Sequence, residues 1–367
     1  MPRIDQIVLH QRTIPLRRPF VTAVRTAHSI DVLIVEVRDS DGRSGWGEAP
    51  TSWRVTGEST ESVTTAVQGP LREALEGQSS TDPTGLSERL ERAVVHNSSA
   101  RMALDCALYD LAAQAAGQPL FRYLGGTSSE VRTDMTLSAV IEFSDLDALL
   151  STATEFVEEG FRTLKVKLGA GGDDVKVMTE VRRAVGHEVR LRVDANQGWS
   201  VTQAVSTIRS LEDAHVDLEL VEQPVARGDL EGLAFVTSEV ATSIMADEVV
   251  WTRRDLREII RLRAADAVNV KLAKSGGLRE GLELIALARG NDIRVIVGCM
   301  AESHVGISAA SALASVTDGA AGEAMTHDLD GGLLLTRSPV DGGVEYHVDR
   351  VKLSQEPGLG VAGMASH

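Results

Sequence analysis

The chain is short of cysteine, aromatic residues, positive charge and long apolar runs, and each shortage excludes something. Cys106 and Cys299 are its only thiols. Two cysteines outside any CxxC pair cannot build a disulfide framework, and they fit a reducing compartment. Aromatic residues make up 4% of the chain, too few for a surface that stacks nucleic-acid bases. Lys and Arg number 37 against 53 Asp and Glu, a net charge of −16. Such an excess repels polyanions yet permits a local basic pocket for a small anion. Nucleic acid and membranes are therefore not expected as partners. No apolar run approaches the ~18 residues of a membrane span, and the opening MPRIDQIVLHQRTIPLRRPF lacks the apolar segment of a secretory signal. A soluble cytoplasmic protein is the expectation.

What is present is enough chain for a large core. At 367 residues, 43% of them hydrophobic, it exceeds the ~250 residues of a minimal parallel barrel by one small domain. From Ile4 to about Pro50 polar and apolar residues alternate, with Asp39 to Gly42 as a turn between strands. Residues from about 60 to 124 switch to helical spacing, stopped by Gly125 and Gly126. Strands followed by helices make an α+β unit. From about Arg132 short strands alternate with helices: RTDMTLSAV, TLKVKLG, VRLRVDAN, LELVEQP, SIMADE, AVNVKLA, IRVIVGCM and GEAMTHDL. Eight such strands indicate a closed parallel barrel. The expected division is an α+β domain over 1–125, to which 340–367 returns as added strand, and a barrel over 126–339.

Lys167, Asp194, Glu222, Asp247 and Lys271 follow one another at intervals of 27, 28, 25 and 24 residues, about one βα unit each. Each lies where an apolar run ends, so all five would point into one mouth. Three carboxylates without His or Cys select a hard cation such as Mg²⁺. Taken singly, each acid would read as a cap or a solvated loop residue. Lys165 and Lys167 share a strand face by the period of two, and like charges beside a cation are expected to lower a lysine pKa toward that of a general base. Lys167 is the expected acid/base, Lys165 its support. Lys271 arrives from across the barrel, and bases on two faces of one carbon permit proton removal and return. Lys274 reads as a helix-start residue. An α-proton beside a carboxylate is too weakly acidic for lysine alone, so a divalent ion must stabilise the enediolate.

The KxK at Lys165 and Lys167, the acids of DANQGW, VEQP and ADE, and the lysine of NVKLAKSGG together resemble the enolase superfamily, in its muconate lactonizing enzyme subgroup, over the whole chain. The resemblance implies an α/β fold, a modified (β/α)7β TIM-type barrel with an N-terminal α+β capping domain. It implies Mg²⁺ held by Asp194, Glu222 and Asp247, with Lys167 and Lys271 as the acid/base pair. Within the subgroup GCMAES at 298–303 and DLD at 328–330 are most similar to dipeptide epimerases. Asp328 and Asp330 would receive the N-terminal ammonium of a dipeptide; without the family they read equally as turn residues before Gly331 and Gly332. Cys299 and Ser303 fall in the same mouth motif and are expected beside substrate.

Side-chain preference is expected in two capping loops, about 17–30 and 51–58. Arg25 resembles the arginine that binds glutamate in L-Ala-D/L-Glu epimerases, with Arg54 as a competing candidate and Arg17 and Arg18 read as solvated. Trp53 departs from the small residues expected near an alanine side chain. His304 could touch substrate, but a lone His near a strand end is more often structural, and His327 is similarly ambiguous; Gly276 and Gly277 could offer backbone N–H groups to an anion, a weak signal on two glycines alone. The function implied is a Mg²⁺-dependent dipeptide epimerase acting on an L-Ala-L-Glu-like substrate, as a homo-oligomer. The alternative is a muconate cycloisomerase, N-succinylamino acid racemase or o-succinylbenzoate synthase, for which an ammonium receptor is useless. An acid-sugar dehydratase would need a His base and an Asp where Lys271 stands.

Overall fold

The computed structural model describes residues 1–22, 25–138, 145–317 and 325–366, with the side chains of residues 20–25 also outside the described set. The alternating start of the chain forms β1 (Ile4–Thr22), β2 (Arg25–Asp39) and β3 (Ser44–Pro50), an antiparallel sheet with β2 central. β2 reads as a nearly continuous apolar run because both its faces are covered. Ile30, Val32 and Ile34 join the main core, while Leu33, Val35 and Val37 join a smaller core of the N-terminal domain. The β1–β2 register slips between Pro15 and Phe20, where proline cannot donate to the ladder. There Arg18 leaves the sheet and pairs with Glu155 at 2.9 Å, its guanidinium 5.8 Å from the Phe156 ring centre. Arg18 is exposed, as the solvated reading expected, and its pairing with a barrel helix is a surface contact.

The helix Ser98–Ala115 lies against β3, and Gly45 and Gly47 are what let it approach. A Cβ at either glycine would run into the carbonyl oxygens of Ala107 and Ala103. The Trp46 amide then donates to Asp110 at 2.8 Å.

The first barrel candidate is split at Asp134 into β4 (Glu130–Thr133) and β5 (Met135–Leu137). β6 (Thr163–Lys167), β7 (Arg190–Asp194), β8 (Leu218–Glu222), β9 (Ile244–Ala246), β10 (Ala267–Lys271) and β11 (Arg294–Gly298) follow. From β5 to β11 they form one parallel sheet in sequence order. β12 (Thr326–His327) closes the ring, paired with β4 on one side and bridged to β11 through Gly298 and Asp328 on the other. The intervening helices start where side chains cap them, at Asp173, Ser200, Asp229 and Thr252.

Below the mouth, Leu220, Met245, Ala267 and Ile296 make a separate apolar plug. Beside it Arg192, 1% exposed, donates to Asp134 at 2.9 Å, Glu219 at 2.6 Å and the Thr326 carbonyl at 2.9 Å, so β7 is tied to both ends of the closure.

The last strands are β13 (Val340–Gly342), β14 (Glu345–His347), β15 (Arg350–Lys352) and β16 (Val361–Met364). They do not return to the N-terminal sheet as expected: β15 pairs with β4, and β13 with β16. The edges of the N-terminal sheet are already used, β3 by the helix Ser98–Ala115 and β1 by the backbone of 334–336, where Arg17 donates to Leu334 at 2.8 Å. Contact with the N-terminal domain survives as single bonds, such as the Leu359 amide to Asp110 at 2.8 Å. Among the described residues no helix is long and apolar enough to cross a membrane.

Candidate active site

Lys167, Asp194, Glu222 and Lys271 are the last residues of β6, β7, β8 and β10, and Asp247 directly follows β9. Parallel register sets Lys167 beside Asp194 and Asp194 beside Glu222. The period of two turns Lys165 the same way as Lys167, and Asn269 the same way as Lys271. One rim thus collects the charged groups that the spacing foresaw. The turns leaving it are strained: Asn196, Gln197 and Gln223 have φ of +42°, +67° and +36°, values few non-glycine residues adopt. Hydrogen bonds hold them, including Asn196 N–H to Asp194 Oδ1 at 2.8 Å and Asp247 N–H to the Gln223 side chain at 3.0 Å.

Every lysine at the rim is matched to an acid. Lys167 Nζ lies 2.5 Å from Asp194, Lys165 Nζ 2.6 Å from Asp328, and Lys271 Nζ 2.9 Å from Asp247. Glu222 sits among them, 3.7 Å from Lys165 and 3.9 Å from Lys271, and accepts from Asn269 Nδ2 at 2.8 Å. Its Oε2 has no hydrogen-bond partner although it is fully buried. Burial and then neighbouring Asp194 push the Glu222 carboxyl up to about 8. Lys274, read from the sequence as a helix-start residue, stands in the turn Leu272–Ser275 with its ammonium on both the carboxylate and the carbonyl of Asp247. Burial would raise Asp247, but Lys271 and Lys274 hold it far below the usual range.

The lowered lysine pKa was expected beside a bound cation; among the protein's own groups the acids act the other way on Lys165 and Lys271. Burial pulls both down, yet Asp328 and Glu222 around Lys165, and Asp247, Glu222 and Asp328 around Lys271, hold both well above the ordinary value. The acids outnumber the effect of lysine on lysine.

Asp328 and Asp330 divide their work. Asp328 is held near about 2, because Lys165 and Lys271 outweigh its burial. Asp330 accepts the Thr136 amide at 2.7 Å and is raised by burial and by Asp328. Cys299 is buried beside Gly331. Ser303 is fully buried, and its hydroxyl and amide are spent on Glu48 of β3, so it links the two domains instead of opening to the mouth. Nearby Glu302 keeps an unpartnered Oε2 and is pushed up to about 8 by burial and by Glu48. His327 is structural, its ring bonded to Val297 N at 3.1 Å and Thr317 at 3.3 Å. His304 packs edge-on against Tyr346, and burial with Arg17 lowers it to about 4. Arg54 and Trp53 stand exposed in the turn bridged by Ser52 and Glu58. Arg25 opens β2, and its side chain lies outside the described residues.

The sequence reading missed Lys274, Asn269, Glu248, Glu302 and Glu48. Asn269 carried a signal, being two residues from Lys271 on one strand; Glu248 stood next to Asp247, and its carboxylate accepts from Asn196 at 3.3 Å. The residues fit a hard divalent cation. Three carboxylates end three adjacent strands, none is satisfied by a soft donor, and Glu222 keeps a buried orphan oxygen. Among the described residues no three acids close on one point as a finished ligand shell, and Asp194 and Asp247 are each paired with a lysine.

Two family models match the chain: Enolase C-terminal domain-like over residues 148–364, and Mandelate racemase / muconate lactonizing enzyme, N-terminal domain, over residues 3–125. The L-Ala-D/L-Glu epimerase of Clostridium acetobutylicum is 38% identical over 98% of this chain and 99% of its own. The substrate-liganded structure of the L-Ala-D/L-Glu epimerase from Bacillus subtilis superposes with a TM-score of 0.94 at 37% identity, covering 99% of both chains. A dipeptide epimerase from Enterococcus faecalis, complexed with Mg and L-Leu-L-Tyr, gives 0.91 at 35%, covering 98% of this chain and 99% of that one.

Proposed function

The chain belongs to the enolase family, in its mandelate racemase and muconate lactonizing enzyme group, and from that premise we propose that it is a Mg²⁺-dependent dipeptide epimerase. One observation carries the reading: Lys167 and Lys271 end β6 and β10, which three strands separate in the sheet, and each is held by its own strand-end acid. A Cα–H bond placed between them meets an amine on either face. The lysine that starts neutral takes the α-proton, and the one that starts as ammonium delivers its proton to the opposite face, inverting the carbon. Asp194 and Asp247 aim the side-chain nitrogens of Lys167 and Lys271, and Lys165 keeps Asp328 ionised. The likeness to two enzymes named for Ala-Glu epimerisation and to one solved with Mg and a dipeptide supports the substrate class.

Asp194, Glu222 and Asp247 would hold the Mg²⁺, which when bound supplies positive charge against the substrate carboxylate as the α-proton leaves. Asp330 and Asp328 would receive the substrate's ammonium; a cation there relieves the buried Asp330 carboxyl that Asp328 now raises. Arg25 or Arg54 would read the C-terminal side chain, a guanidinium being suited to bidentate carboxylate capture.

The test is deuterium entry at the C-terminal α-carbon of L,L-dipeptides in D₂O with Mg²⁺, followed by mass spectrometry. Exchange on L-Ala-L-Glu that Arg25→Ala removes, with exchange on uncharged dipeptides retained, supports both substrate and arginine. Exchange on N-succinylamino acids and on no dipeptide would overturn the proposal in favour of the racemase reading.

A further inference from the structure

At the mouth end but outside the ring of acids and lysines, none of which lines it, a cleft of ≈ 320 Å³ runs along the seam between the N-terminal domain and the barrel. That volume lies in the range of small-molecule sites. Five arginines line it: Arg101 from the N-terminal domain, and Arg253, Arg254, Arg257 and Arg279 from the barrel. Arg253 is neutralised by Glu280 and Glu283, and Arg279 by Glu91 at 3.0 Å. Arg101, Arg254 and Arg257 have no carboxylate within ion-pair distance among the described residues; Arg101 donates only to the His96 carbonyl, at 3.1 Å. In a chain of net charge −16, acids were available to fill such positions.

The three come from two domains and line one cleft. Arg254 and Arg257 are three residues apart on the helix Arg253–Leu262 and so share a face. Arg101 is laid against the backbone of Gly276, where a Cβ would stand 2.8 Å from its guanidinium carbon. Two helix N-termini face the same cleft, those of Arg253–Leu262 and Leu278–Arg289, but their first amides are taken by carboxylates that also line it, Leu278 and Arg279 by Asp105 at 2.5 and 3.4 Å and Arg253 by Glu280 at 3.0 Å, so the positive charge open to a ligand is that of the three arginines. No aromatic ring lines the cleft, and Leu90 is its only large apolar side chain, so nothing there would stack a base or hold a lipid tail.

We propose that this cleft is a second, noncatalytic site for a compact multivalent anion, a phosphate-bearing or polycarboxylate small molecule that bridges Arg101 to Arg254 and Arg257. Guanidinium groups suit both anion types through paired N–H donors. The site is separate from the acids and lysines of the mouth and does not depend on the reaction assigned to them.

The experiment titrates the full-length protein, without Mg²⁺ and at low ionic strength, with inorganic pyrophosphate in one arm and citrate in the other, by calorimetry. The expected result is binding of at least one probe with a Kd below about 1 mM, weakened about tenfold or more in R254A/R257A, unchanged in K271M, and weakened by added salt. Arg254 and Arg257 are exposed, so the double variant is expected to fold, with circular dichroism as the check. The arm that responds separates the phosphate from the polycarboxylate source. No binding of either probe up to about 10 mM would overturn the proposal. So would binding that R254A/R257A leaves intact, or that K271M abolishes, since the mouth would then be the binder.

Discussion

The barrel encloses two clusters of buried charge, one at its floor and one at its mouth, built from the same strands to opposite ends. At the floor a single guanidinium, Arg192, is shared among two carboxylates and a carbonyl and is packed beside an apolar plug. At the mouth Lys165, Lys167, Lys271 and Lys274 face Asp194, Glu222, Asp247 and Asp328, and Glu222 still keeps an unpartnered oxygen. The floor satisfies each nitrogen of its one guanidinium, although Asp134 Oδ1 there is buried without a hydrogen-bond partner, as Glu222 Oε2 is at the mouth. The mouth leaves acids crowded against one another, a cost that a fold bears where charge must be ready for a ligand. Buried charge as such therefore says little about function; the unresolved conflict within it says more.

Breaking the mouth has the largest expected effect. Lys271→Met, or Lys167→Met, removes one arm of the proposed proton relay and is expected to lower epimerisation by about 10²–10⁴-fold or more. Thermal unfolding measured with Mg²⁺ present should stay near wild type, because a cation on Asp194, Glu222 and Asp247 would answer the acid that the lost ammonium leaves. Proton exchange from the remaining face, followed by NMR, would separate the arms. A lysine variant that unfolds instead would show that mouth and floor serve the same structural end. Chelation of Mg²⁺ is expected to take turnover to background and leave the fold, with recovery on readdition. Activity that persists through exhaustive chelation would remove Asp194, Glu222 and Asp247 from the proposed metal role.

The floor gives the converse result. Arg192→Leu strands Asp134, which burial already pushes up to about 7, and loosens β7 from β12. A loss of about 3–5 kcal/mol in denaturant unfolding is expected, as for other broken buried pairs, with kcat per folded molecule near wild type. A stable but inactive variant would contradict the division drawn here.

The mouth was more legible in the sequence than the floor because strand ends recur at the length of a βα unit, whatever fills the helices. Asp194, Glu222, Asp247 and Lys271 share that rhythm. Arg192, two residues before Asp194, carries no such mark, since burial of an arginine depends on which partners the barrel closure brings to it. Alternation likewise announced the strands after Val340 but could not say which sheet edge was free. The setting of Lys165 was half legible for a related reason: neighbouring lysines are visible in KVK, whereas Asp328 reaches Lys165 only through the closed ring.

The smallest effect is expected at the rim between the domains, where Glu302 and Glu48 lie buried together. Burial, then Glu48, raises the Glu302 carboxyl from 4.5 to about 8. Between those values the folded protein binds a proton that the unfolded chain has released, so stability falls as pH rises through the window. Glu302→Gln has no proton to lose, and its amide oxygen can still accept the Met300 N–H that now bonds Glu302 at 2.8 Å. Near pH 5 the two proteins should therefore unfold alike. By pH 8 the variant should be the more stable, by of the order of 1–3 kcal/mol. An offset between the two denaturation curves that is the same at every pH would mean that Glu302 is ionised throughout and that its unpartnered oxygen is solvated, which would place this pair with the floor rather than with the mouth.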